Sequence, residues 1–229
     1  MSCRIPNVGH VFLALAATCL VTTQFSEAYE VPLTPADIHE AYVLGQRNDQ
    51  VTANFLHPYI SACSTPEESC FITQIELLTP FAQVVDVSRR NATKGYTEQQ
   101  AAHDYRQGRD KIIVQVTLVL RAAYAGAAQN DVQKTPPLEE SKSASLRLED
   151  FWQNFRFSLR QSGRVIPTRS IHNEPIYSTP TKDVPPVLDG ATVQLEYDCK
   201  EVASEEATVE VLTPESKTIA ASFDLKKLR

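Results

Sequence analysis

The sequence predicts an α+β protein: an immunoglobulin-like antiparallel β-sandwich of about seven strands, with a short helical N-terminal region before it and one inserted helix. Three observations carry this. Residues 33–60 hold helix caps and a spaced apolar stripe. From residue 72 onward the apolar period shortens to two, in short segments separated by turn residues. Hydrophobic residues make up 42% of the 229, enough to bury a core and to argue against global disorder. The Cys…Trp…Cys hallmark of immunoglobulin domains is missing. Trp152 is the only tryptophan, and it falls on the face opposite Phe155 and Phe157. The likeness is therefore architectural only.

Each element has a local reason. In "LTPADIHEAY", Thr34 is a helix N-cap, Pro35 takes the first helical position and Asp37 makes an acidic variant of the capping box. Ile38, Tyr42 and Leu44 mark the buried stripe. Asn48 or Asp49 breaks the helix or caps a second one, which carries Val51, Phe55 and Leu56 and ends near Pro58. Phe71 to Val87 is rich in β-branched and aromatic residues and reads as strand, interrupted at Thr79-Pro80. Thr97 and Gln100 cap a helix near 97–107, and Gly108 stops it. "KIIVQVTLVLR" is almost continuously apolar and predicts a central strand buried on both faces. Residues 122–150 are small and polar, a long exposed loop.

The C-terminal part alternates clearly. "FRFSLRQSGRVIPTRSI" is a hairpin, with Phe155, Phe157 and Leu159 inward and Ser162-Gly163 at the turn. Prolines make residues 172–190 a crossing loop, with at most a short edge strand at Ile176-Tyr177. Val193, Leu195, Tyr197 and Cys199 share one face of the next strand. A last hairpin turns Val209, Val211, Ile219, Ala221, Phe223 and Leu225 inward. The plan is a signal peptide over 1–28, a helical region over 29–71 and a sandwich domain over 72–229.

Export is predicted by the N-terminus. Arg4 supplies a positive start, Val11 to Val21 is apolar and uncharged, and Ser26-Glu27-Ala28 has the small-x-small pattern. These make a signal peptide cut after Ala28, so the mature chain begins at Tyr29 and is secreted or periplasmic. The apolar run is shorter than the roughly 20 residues a membrane span needs. Lipid anchoring at Cys19 is the alternative, although Thr18 precedes it where lipoproteins place a smaller residue. Net charge is −6, and cleavage leaves it unchanged by removing Arg4 and Glu27 together. The densest basic cluster is Lys226-Lys227-Leu228-Arg229, too little for a nucleic-acid partner. Asn91-Ala92-Thr93 is a glycosylation acceptor in a eukaryotic secretory path and a polar turn in a bacterium.

"IELLTP" (Ile75 to Pro80) and "VEVLTP" (Val209 to Pro214) resemble each other closely. A duplicated module would repeat the flanks too, and "FAQVVDV" shares nothing with "ESKTIAA". The pair reads as one local device used twice, a strand ended at Thr-Pro because proline cannot donate to the ladder.

Chemistry is sparse. Cys63 and Cys70 flank the polar turn "CSTPEESC", and export permits a local disulfide between them. The loop-entropy model assigns it about 2–3 kcal/mol. Cys199 is left as the thiol outside that bridge, on an apolar strand face. A metal site from His57, Cys63 and Cys70 lacks a fourth ligand and a familiar spacing. Gly-rich phosphate loops, H-E-x-x-H and G-x-S-x-G are absent. A Cys-His nucleophile would need Cys199, whose face suits a small buried hydrophobe better. His103-Asp104-Tyr105 are adjacent on a helix and point apart. Glu67-Glu68 and Glu205-Glu206 lack the spacing of a calcium loop.

No catalytic, cofactor or metal residue is therefore assigned. The expected function is an exported, non-catalytic binding or protein-interaction module of the envelope or extracellular space. Its partner would be an unidentified protein or envelope component. The runner-up is a secreted hydrolase whose site assembles only in the fold. A third reading is a lipoprotein of envelope assembly.

Overall fold

The computed structural model describes residues 31–63, 70–108, 110–120, 148–179 and 186–229. The signal peptide, Glu67-Glu68 and most of the 122–150 loop fall outside them.

The chain opens with α1 (Pro35–Arg47) and α2 (Gln50–Leu56). Thr34 and Asp37 form the expected reciprocal capping box, and Pro35 sits in the first turn. Asn48 closes α1 in the left-handed region, and Asp49 accepts from the backbone amides of Val51 and Thr52 to start α2. Ile38 and Leu56 are buried as expected, whereas Val51 faces solvent.

A short strand β1 (Ile60–Ala62) leads to β2 (Cys70–Leu78). The sequence expectation fails next. Residues after Thr79 form α3 (Pro80–Arg90), not strand, so two helices, α3 and α4 (Glu98–Gly108), are inserted rather than one. The physical reason is a helical stripe: Phe81, Val84, Val85 and Ser88 lie at i, i+3, i+4 and i+7, and all four are buried. Thr79 caps the helix and Pro80 supplies a first-turn residue whose missing N–H costs nothing.

The remaining strands are β3 (Lys111–Leu120), β4 (Arg156–Gln161), β5 (Arg164–Ile166), β6 (Ser170–Tyr177), β7 (Leu188–Asp198), β8 (Glu206–Leu212) and β9 (Thr218–Asp224). The described residues thus hold nine strands against the seven or so expected. Residues 172–177 of the predicted 172–190 loop belong to β6, an edge strand longer than the expected Ile176-Tyr177, where Pro175 is tolerated because its outer side needs no donor.

Two antiparallel sheets result. One has the order β1-β2-β3-β7-β6 and the other β5-β4-β8-β9. Ile75, Leu77, Val114, Val116, Val193, Leu195 and Tyr197 bury one face of the five-stranded sheet, and Leu159, Val209, Val211 and Phe223 bury one face of the other. All belong to one continuous apolar cluster. Gly190 lets β7 approach β3: a Cβ there would stand 2.1 Å from the Leu118 carbonyl oxygen.

The helices form their own layer. α1 crosses α3 so closely that a Cβ on Gly45 would stand 2.3 Å from the Val85 carbonyl oxygen. Arg229 ties this layer to the end of β9. Its guanidinium donates to Asp37 at 3.1 Å and to Glu40, and lies 4.3 Å above the Phe81 ring. Its carbonyl oxygen accepts from the hydroxyls of Tyr59 and Thr79.

Candidate functional site

The five-stranded sheet has two unlike faces. One is the apolar core face. On the other, Glu76, Gln115, Gln194 and His172 stand directly opposite one another across β2, β3, β7 and β6. A second row, Gln74, Thr117, Thr192 and Glu174, lies one step along. Cross-strand partners point to the same side, so these residues make one polar surface. β3 is therefore central, as expected, but buried on one face only along much of its length.

Helices α3 and α4 wall one end of this surface. Between them and the sheet is a pocket of about 260 Å³. Leu78, Val84, Val87, Ala101 and Ile113 supply its apolar lining, and Gln115 and Gln194 its floor. Gln83 holds the wall in place: its amide donates to the carbonyls of Leu78 (3.0 Å) and Lys111 (2.8 Å), joining α3 to β2 and β3.

The charges around the pocket are matched internally. Asp86 is bound by Arg89 at 2.8 Å and by Arg90. Lys111 pairs with Glu196, which also accepts from Ser170 at 2.8 Å. Those bonds hold the Glu196 carboxyl below its ordinary range despite burial. Tyr96 donates to Asp104 at 2.7 Å, and burial together with that bond pushes its phenol up. Glu76 stands beside Gln115. Burial, and then the charge of Asp86, push its carboxyl up, against the hydrogen bond from Gln74. Gln115 and Gln194 differ from all of these. Neither side-chain amide has a hydrogen-bond partner among the described residues, and neither is sealed from solvent.

The residues singled out by sequence scatter. Cys63 is half-buried, and burial pushes its thiol up. No disulfide forms among the described residues, and the side chain of Cys70 lies outside them. The register sets Cys63 beside Thr73, three residues along β2 from Cys70. Cys199 is a thiol packed in the core at the end of β7, 5% exposed, with burial and the charges of Asp110 and Asp198 pushing it up to about 12. A thiol so hard to ionise is a poor nucleophile. Of His103-Asp104-Tyr105, Asp104 and Tyr105 line the pocket, while His103 turns to Gln107 at 3.1 Å. Glu205 accepts from Ser162 at 2.8 Å, a turn contact. The Asn91 amide donates to the Val87 carbonyl at 2.9 Å, closing α3.

Among the described residues no group of three or more His, Cys, Asp or Glu could hold a metal, and no helix is long and apolar enough to cross a membrane. Sequence reasoning missed Gln115, Gln194, Glu76 and Asp86. The available signal was faint: "IIVQVT" and "TVQLEY" each place polar residues two apart inside apolar strands.

What fold and site define is a class: an α+β protein whose described residues form two antiparallel sheets and four α-helices, with a polar sheet face overhung by two of the helices. Searches against protein-family models, curated proteins and solved structures return no match.

Proposed function

We propose that this chain is an exported, non-catalytic binding module whose ligand surface is the polar face of the five-stranded sheet. The single observation carrying the reading is the pair of uncommitted amides at the pocket floor, amid charges that already have partners. Binding pockets set apolar walls beside placed polar groups, and here Leu78, Val84, Val87, Ala101 and Ile113 stand beside the two amides. The sandwich belongs to the same proposal, supported by buried apolar faces on both sheets. Its strand order would be that of a nine-stranded immunoglobulin variable domain if β3 lay between β4 and β8 instead of between β2 and β7.

A photo-crosslinking residue placed at Thr117, on the polar face, should trap a partner in the native secreting cell. The same residue at Thr208, on the outer face of β8, should not. Equal trapping from both positions, or none from Thr117, sinks the assignment of this face. Export rests on Arg4, the Val11–Val21 run and Ser26-Glu27-Ala28. Sequencing of the exported protein should begin at Tyr29; a lipidated Cys19 at the start would replace this with the lipoprotein reading. Non-reducing peptide mapping tests the Cys63–Cys70 bridge, which stays part of the proposal.

One observation favours the hydrolase as a second reading. Glu76 has a raised pKa near Asp86, so its carboxyl is placed to hold a proton, as a general acid must. A Glu76→Gln variant that loses a measured hydrolysis while still binding its substrate would favour it over the binding module.

A further inference from the structure

Resting on the proposed binding face, we infer that the pocket between α3, α4 and the sheet recognises a neutral carboxamide, read by the side-chain amides of Gln115 and Gln194. Three observations converge. The first is position. Gln115 and Gln194 are direct partners in the β3–β7 register, so their Cα atoms lie about 4.5–5.5 Å apart and their side chains rise together from the pocket floor. Each ends in a fork of one acceptor and one NH₂ donor, the complement of another amide edge.

The second is what the pocket cannot offer. An anionic ligand would have to displace Asp86 from Arg90, or Glu196 from Lys111. A cationic one would have to draw Asp86 away from both its arginines, or share the exposed Asp104 with Tyr96. Breaking the Asp86 or Glu196 pairs takes a partner from a carboxylate whose side chain is only 8% or 16% exposed, which is expensive. A neutral amide meets two amides that have no hydrogen-bond partner among the described residues. The third is shape. Leu78, Val84, Val87, Ala101 and Ile113 make walls for an apolar body, and about 260 Å³ admits only a small group.

The carboxamide could belong to a free small molecule or to a Gln side chain presented by a protein partner. Two matched pairs of probes separate these sources: benzamide against benzoate, and acetyl-Ala-Gln-Ala-amide against acetyl-Ala-Glu-Ala-amide. Each is titrated into the ¹⁵N-labelled exported protein. At least one amide probe should shift the side-chain NH₂ signals of Gln115 and Gln194 and bind about tenfold more tightly than its carboxylate twin, the size of one net hydrogen bond. Tighter binding of benzamide assigns the ligand to a small molecule. Tighter binding of the glutamine peptide assigns it to a protein. Gln115→Leu and Gln194→Leu should each abolish the preference with an unchanged melting temperature. Gln194→Met, which keeps the length and removes both donor and acceptor, should do the same should a leucine variant fold poorly. Amide preference that survives in Gln194→Met overturns the inference. So does a carboxylate bound as tightly as its amide, although shifts in α3 and α4 would then still uphold the pocket as a binding site. No response to any probe overturns the amide chemistry, while trapping from Thr117 separately decides the face.

Discussion

Ile75–Pro80 and Val209–Pro214 differ at only two positions, yet one leads into a helix and the other into a hairpin. Both behave alike up to the threonine. β2 stops at Leu78 and β8 at Leu212, with Ile75, Leu77, Val209 and Val211 buried in the same core. After that, Thr79 accepts from the Ala82 amide at 3.4 Å and starts α3. Thr213 instead receives the Ser216 amide on its carbonyl at 2.9 Å and donates its own amide to Lys217 at 2.8 Å, closing a turn into β9. The difference lies in the residues after proline. "FAQVVDVS" offers an apolar helical stripe; "ESKT" offers only polar residues. Thr-Pro ends a strand, and the next apolar period decides what replaces it.

The sharpest way to break this comparison is to remove the first residue of that stripe. Phe81 is 2% exposed, 5.6 Å from the Phe55 ring and under the Arg229 guanidinium. Phe81→Ala should cost about 3–5 kcal/mol in urea unfolding, with helical circular dichroism lost before β signal. A cost near that of a surface substitution would mean α3 is not held by its stripe.

The threonines come next. Thr79→Ala removes an N-cap and a bond to the Arg229 carbonyl, and should cost about 1–2 kcal/mol. Thr213→Ala removes only the hydroxyl that accepts from the Lys217 amide at 3.3 Å, and should cost about 0.5–1 kcal/mol. Equal costs would show that the two threonines do the same job.

Smaller still is a change confined to the second copy. Ser216 holds φ 64°, a left-handed conformation that glycine takes without strain. Ser216→Gly should leave stability level or raise it by up to about 0.5 kcal/mol, since relief of strain outweighs the added chain entropy. A clear loss would mean the serine side chain holds the turn.

How much of this was legible depends on which physics is local. The capping box at Thr34, Pro35 and Asp37 and the alternation from Val193 to Tyr197 depend on neighbours in sequence, and both show in it directly. Phe81 to Ser88 does not. Phe81, Val85 and Val87 also fit a period of two, and the helical stripe ends in Ser88, a buried polar residue that a hydrophobic pattern passes over. β6 is hidden by its proline and by those that follow it in sequence, because only its place at the sheet edge makes Pro175 acceptable. The pocket could not be read at all. Gln115 and Gln194 meet only through the β3–β7 register, and nothing near either residue specifies that pairing.

The two glutamates complete the comparison, since Glu76 and Glu210 hold the same place in the two copies. Glu210 accepts from Arg160 at 2.8 Å, with the side chains 34% and 43% exposed, so Glu210→Gln should lose only a few tenths of a kcal/mol, less at high salt. Glu76 is half-buried, and burial with the nearby charge of Asp86 raises its pKa above the ordinary 4.5. A carboxyl with a raised folded pKa contributes stability that is fully present below its unfolded pKa. That contribution is lost as pH rises through the folded value. At pH 7 Glu76 is therefore a burden, and Glu76→Gln should raise the urea midpoint there. The gain should shrink as pH falls toward and below 4.5, where the wild-type carboxyl takes up its proton. At pH 7 the two substitutions should thus act in opposite directions, although they change the same letter of the same motif. Midpoints that move the same way would mean that the polar sheet face hydrates Glu76 as fully as solvent hydrates Glu210.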